Sequence, residues 1–166
     1  MKIYLIRHGH YLPGWKQEDG FLTDKGEEQI AKLGLRFLKE KVNFKKIYSS
    51  PKIRARESAK SCCKVLGIEK IIYSDDLVEI EYGEGEEEVI QRMQNFLNAI
   101  KPGFSEGAFG VFSHYHSIKY LLNSFNSDPS KNSLPHAGVA LIDYSLENPK
   151  IVDYDFKKHL KGIESY

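Results

Sequence analysis

Six residues at the start of the chain, Lys2-Ile3-Tyr4-Leu5-Ile6-Arg7, form a nearly continuous apolar run that stops at His8-Gly9. A run this short and this apolar suits a strand buried on both faces, as in the interior of a parallel sheet. The residues that follow extend the pattern. Thr23-Asp24-Lys25-Gly26-Glu27 offers N-cap hydroxyl and carboxylate groups, and Ile30, Leu33, Phe37 and Leu38 keep helical spacing behind it. The unit then recurs. Lys46-Ile47-Tyr48-Ser49 is strand-like, Ser50-Pro51 reads as a helix start with proline at the first position, and Ile53, Ala59, Cys63 and Leu66 continue an apolar face to Gly67. Ile71-Ile72-Tyr73 is a third short strand, and Val89, Ile90, Met93, Phe96, Leu97 and Ile100 form an amphipathic helix closed by Pro102-Gly103. Ala108 to Ser113 is another buried-strand run, Ser117 to Leu122 is helical after it, and Val139 to Tyr144 with Ile151 to Tyr154 is spaced as a closing hairpin. Strands alternating with helices in this way predict one α/β domain over residues 1–166. Its expected form is a three-layer sandwich with a mostly parallel central sheet and helices on both faces.

Composition narrows the surroundings. Hydrophobic residues at 41% and charged residues at 28% match an ordinary globular chain, and neither an internal repeat nor a Pro/Gly/Ser linker divides the 166 residues. No apolar run approaches the roughly 20 residues of a membrane span, and Arg7 interrupts the first run too early for a secretion signal. Cys62 and Cys63 are the two cysteines and are adjacent, which suits helix packing in a reducing cytoplasm. With 24 Lys+Arg against 23 Asp+Glu, the net charge of +1 gives no electrostatic case for nucleic acid. That neutrality is a cancellation: Lys45 to Lys70 holds eight basic and two acidic residues, whereas Glu79 to Glu88 holds six acidic and no basic ones.

In open α/β sheets ligands sit beyond the carboxyl ends of the strands. The reactive residues at those ends are Arg7, His8 and His10, then Ser49, Ser50 and Arg54, then Glu79 and Glu81, and finally Ser113, His114 and His116. Such a set suits phosphoryl transfer, which needs a nucleophile, fixed positive charge and a proton donor. Arginine forks hold phosphate oxygens bidentately, and a neutral imidazole has a lone pair that can attack phosphorus. A carboxylic acid such as Glu79, with Glu81 as the alternative, could protonate the leaving oxygen and then activate water. His10, Tyr11, Tyr115 and His116 flank these positions as candidates for substrate contact, Tyr11 and Trp15 as a lid; His136 reads as a rim residue. Two other chemistries fit the same residues. The pairs His8-x-His10 and His114-x-His116 have metal-ligand spacing and would suit a metal-dependent hydrolase, while the cationic pocket alone would suit a phosphate-binding module without turnover.

The ordered set of Arg7-His8-Gly9, Leu22-Thr23 with Gly26, Ser49-Ser50-Pro51 with Arg54-Ala55 and Ser58-Ala59, Leu77 with Glu79 and Gly83, and Ser113-His114 resembles the histidine phosphatase superfamily, the phosphoglycerate-mutase-like fold. The resemblance implies that His8 is the phosphorylated nucleophile, that Arg7, Arg54 and His114 form the phosphate pocket, and that Glu79 is the acid/base. It implies no metal or organic cofactor, and a phosphorylated small molecule or phosphoprotein as partner. The loop His10-Tyr11-Leu12-Pro13-Gly14-Trp15 lacks the asparagine and arginine of the mutases, so the chain is more similar to the small phosphatases of the superfamily.

Overall fold

The computed structural model describes residues 1–14, 19–103, 106–125, 128–144, 149–153 and 157–162. Six strands, β1 (Lys2–Arg7), β2 (Phe44–Ser49), β3 (Ile71–Tyr73), β4 (Ala108–Ser113), β5 (Val139–Asp143) and β6 (Lys150–Asp153), form one sheet in the order β3-β2-β4-β1-β5-β6. β1 to β4 are mutually parallel where they pair; β5 runs antiparallel to β1, and β6 antiparallel to β5. Four helices, α1 (Asp24–Lys39), α2 (Ile53–Leu66), α3 (Glu86–Ile100) and α4 (Tyr115–Phe125), connect them. Among the described residues no helix is long and apolar enough to cross a membrane.

The double burial expected of β1 is realised by alternation. Ile3 and Leu5 join Phe109 and Val111 of β4 in a cluster with Val89, Met93 and Leu97 of α3 and Ile118, Leu121 and Leu122 of α4. Ile6 and Phe112 join the other cluster, with Ile30, Leu33 and Phe37 of α1 and Ala59, Cys62 and Cys63 of α2. Both cysteines are free and buried, and desolvation raises both thiols, Cys63 to about 11. They pack, as the helical spacing suggested.

Local chemistry sets the helix ends. Thr23 caps α1 by accepting the Gly26 N–H at 3.2 Å, with Asp24 and Glu27 in the first turn and Arg36 and Lys39 in the last, each sign matching the helix dipole. α2 closes on Gly67, whose φ of 67° is left-handed. Two local expectations shift. Pro51 does not open α2: Lys52 stands at the N-cap and the helix starts at Ile53. Leu38 lies outside the buried stripe, 49% exposed, because Gly34 rather than a larger residue faces α2 and lets Phe37 take the core position.

β1's C-terminal loop and the start of α1 touch backbone to backbone. A Cβ on Gly26 would stand 2.0 Å from the His10 carbonyl oxygen, and one on Gly9 would stand 2.6 Å from the Gly26 oxygen. Gly26→Ala is therefore expected to cost about 1–3 kcal/mol, the usual toll of overpacking. Urea unfolding of the variant against wild type checks this, and an unchanged midpoint would refute the close approach.

Candidate active site

Parallel register brings the reactive residues together. Arg7 pairs with Ser113 and Ser49 with Phe112, so the three central strands end level and His8, Ser50 and His114 follow one residue beyond. His8 N–H donates to the Ser113 carbonyl at 3.2 Å, and Ser50 N–H to the Phe112 carbonyl at 2.9 Å, which ties these steps together.

His8 is 2% exposed. Its Nδ1 lies 2.9 Å from the Gly9 carbonyl oxygen, which can only accept, so the ring proton sits on Nδ1. Nε2 is left with a lone pair, and Arg54 Nε–H donates to it at 3.2 Å. Burial first, then the charges of His114, Arg54 and Arg7, hold His8 well below its ordinary value of 6.5, against the opposing Gly9 bond. His114 is fully buried, its ring centroid 5.3 Å from that of His8, and it is depressed in the same direction by desolvation, then by Arg54, Lys52, Arg92 and Arg7. His114 Nε2 lies 2.9 Å from Ser50 Oγ. That oxygen already accepts the Lys52 N–H, so the network assigns the serine proton to His114 Nε2 and the ring proton to Nδ1. His114 Nδ1 and Arg7 Nε are buried without a hydrogen-bond partner among the described residues.

The cations are fixed by different groups. Arg7 donates from Nη1 to the Leu134 carbonyl at 2.8 Å and from Nη2 to His136 Nε2 at 3.0 Å, and its guanidinium lies over the Tyr115 ring. Arg54 lies over the Tyr11 ring at 4.8 Å and pairs with Asp19 at 3.0 Å. Glu79 stands at the start of α4: Oε1 accepts the Ser117 N–H at 3.3 Å, and its charge acts on Arg7. Arg92 holds the segment that carries it, donating to the carbonyls of Asp76 and Glu79 while its fork grips Glu84 at 2.6 and 3.0 Å.

The expected residues do not all meet. Arg7, His8, Arg54 and His114 converge, with Tyr11 packed edge-on against His8 and Tyr115 under Arg7. Glu81 is 62% exposed and sits 3.5 Å from Lys52. His10 turns to Thr23 Oγ1 at 2.9 Å and fastens the loop to the α1 cap, while His116 is 47% exposed beside Glu79. The His-x-His pairs thus diverge, and among the described residues no three His, Cys, Asp or Glu side chains are grouped as metal ligands. Trp15 lies outside the described residues. His136, expected on the rim, packs against the rings of His8, His10 and Tyr11. Asp19 carried no signal in the sequence, since an aspartate before Gly20 reads as a turn residue.

Residues 3–87 match the family described as the histidine phosphatase superfamily (branch 1). No curated protein matches the chain. Among solved structures, YhfR of Bacillus stearothermophilus superposes with a TM-score of 0.83 at 22% identity, covering 96% of this chain and 98% of that one. A phosphoserine phosphatase mutant from Entamoeba histolytica gives 0.77 at 19% identity over 96% and 98%. The protein histidine phosphatase SixA, complexed with tungstate, gives 0.77 at 17% over 91% and 94%. These are likenesses of fold.

Because the folded protein keeps His8 and His114 neutral, the unfolded chain binds their protons first, near pH 6.5, and folding stability falls as the pH drops below that value. The loss is expected to reach up to about 1.4 kcal/mol per pH unit for each histidine. Urea midpoints from pH 7.5 to 5.5 measure the slope, and His114→Gln is expected to lessen it. A stability that rises on acidification would contradict the neutral pair.

Proposed function

The chain belongs to the histidine phosphatase superfamily, and we propose that it is a cofactor-independent phosphatase that hydrolyses phosphomonoesters or phosphoprotein substrates through a phosphohistidine on His8. One observation carries the reading: a buried neutral imidazole holds a free lone pair on Nε2, and beside it two buried donors, Arg7 Nε and His114 Nδ1, have no partner among the described residues. Buried donors are costly to leave unsatisfied, and a phosphate's oxygens would satisfy them.

The steps follow from these groups. A phosphate seated between Arg7, Arg54 and His114 presents phosphorus to His8 Nε2. The N–P bond forms as the bond to the leaving oxygen breaks, and the phosphoryl charge is met by donors already in place. Glu79 in its acid form gives its proton to the leaving oxygen. As a carboxylate it then takes a proton from water, whose oxygen attacks phosphorus and returns the electron pair to His8. Glu79 is preferred to Glu81 because it is anchored at the α4 N-terminus, whereas Glu81 faces solvent beside Lys52. Mutase activity is disfavoured by the loop after His8.

The fold supports the same reading. Apolar clusters built with α1 and α2 on one side and α3 and α4 on the other fit the expected three-layer packing. Neighbouring structures named for phosphoserine, phosphohistidine and glucosyl-3-phosphoglycerate phosphatases support a phosphorylated small molecule or phosphoprotein as partner, in a cytoplasmic setting, with neither nucleic acid nor membrane.

Next to Arg54 lies a pocket of about 430 Å³ lined by Asp19, Asp75, Glu81 and Glu84 against Lys52 and Arg92. That excess of carboxylates disfavours a leaving group with several negative charges. Two expectations follow. A chromogenic phosphomonoester is turned over with chelator present, His8→Ala abolishes both turnover and acid-labile phosphoenzyme, and Glu79→Gln costs more in kcat than Glu81→Gln; the reverse order would reassign the acid. A panel of phosphoesters compared by kcat/KM is expected to favour singly over multiply phosphorylated substrates, and the opposite preference would remove the acidic pocket from the account.

A further inference from the structure

Asp19 lies in the loop between β1 and α1, yet both of its carboxylate oxygens are spent on α2. Oδ1 accepts Arg54 Nη1–H at 3.0 Å, and Oδ2 accepts the backbone N–H of Ile53. α2 has no side-chain cap of its own, because Lys52 stands where a serine or aspartate would serve. A first-turn N–H without an intrahelical partner must find an acceptor elsewhere, and the loop delivers it.

Three contacts fix the orientation of the Arg54 guanidinium: Nε on His8 Nε2, Nη1 on Asp19, and its flat face over Tyr11. The side chain is 12% exposed and that of Asp19 is 21% exposed, so the ion pair is well shielded from water. A planar fork held at Nε and at Nη1 has little freedom left about its last rotatable bonds. The carboxylate also has a cost. A negative charge next to an anion pocket repels the anion, unless an adjacent cation and helix N-terminus absorb it. Asp19 has both, so its cost is small and its steering effect remains.

We propose that Asp19 is a positioning residue that aims Arg54 at the His8 lone pair and at the incoming phosphate. The inference rests on the phosphatase reading of the site. It assigns the β1–α1 loop a second task besides carrying Tyr11: the loop's conformation sets the geometry of an arginine on a different element.

A double-mutant cycle tests it, with para-nitrophenyl phosphate as the probe and circular dichroism to confirm folding. Asp19→Ala is expected to lower kcat/KM about 10- to 100-fold in the wild-type background, the range that follows from loss of orientation of a reacting pair. In an Arg54→Ala background the same change is expected to alter kcat/KM less than about twofold, since a residue that acts through Arg54 has nothing left to act on. Asp19→Asn keeps one acceptor and is expected to fall between wild type and Asp19→Ala, which preserves the test if the alanine variant does not fold. Equal losses in the two backgrounds would overturn the proposal and leave Asp19 as a helix cap alone, and so would an unchanged kcat/KM for both variants. Should the wild-type enzyme fail to turn over the ester, the phosphatase reading falls separately. The cycle is then read as orthovanadate affinity by calorimetry, where non-additivity supports the positioning role and additivity overturns it.

Discussion

A neutral imidazole with its lone pair kept free has to sit here among cations and out of water, and the hydrogen bond between Arg54 Nε–H and His8 Nε2 is what reconciles those demands. Had the ring taken a second proton, it would have lost this acceptor and faced Arg54, Arg7 and its own desolvation at once. The Gly9 carbonyl settles the tautomer from the other side. Much of the surrounding architecture serves that arrangement. Ser58 Oγ accepts the Gly9 N–H while donating to the Arg54 carbonyl, so the turn carrying His8 and the helix carrying Arg54 share one hydroxyl.

Charge is segregated for the same reason. The basic stretch around β2 and α2 supplies Lys52 and Arg54 to the anion side, and the acidic stretch after β3 supplies Glu79 to the proton side. Arg92 keeps the two from collapsing onto each other. Its bidentate grip on Glu84, with both groups under 20% exposed, satisfies one carboxylate of the acidic stretch locally, and hydrogen bonding to Arg92 lowers the Glu84 carboxyl from its usual range. Glu79 is then free to engage the α4 N-terminus.

How far the chain's order discloses this is uneven. β1, β3, β4 and the start of α1 could be located closely because each has a local cause: an apolar run that must be buried on both faces, or a hydroxyl that caps its own helix. The strand-end rule then collected Arg7, His8, Arg54 and His114, since parallel strands that end level put their next residues side by side. The residues it passed over act across distance. Asp19 caps a helix that begins 34 positions later, and His136 reaches Arg7 from the turn before β5; neither contact leaves a periodic trace. His10 and His116 show the converse. Alternate spacing suggested a shared direction, but a strand's period of two ends where the strand ends, and past β1 and β4 the backbone turns each pair apart.

The pairing of Arg7 with Ser113 also separates what this chain can vary from what it cannot. His8 and His114 are distant along the polypeptide, yet their separation in space is measured across a single ladder of parallel hydrogen bonds. Everything threaded between β1 and β4 can lengthen, shorten or acquire new surface without altering that separation, while one residue added inside either strand would swing its histidine to the opposite face of the sheet. New substrate preferences can therefore be written into the connections, and the reacting pair itself tolerates no change of count in the two strands that hold it.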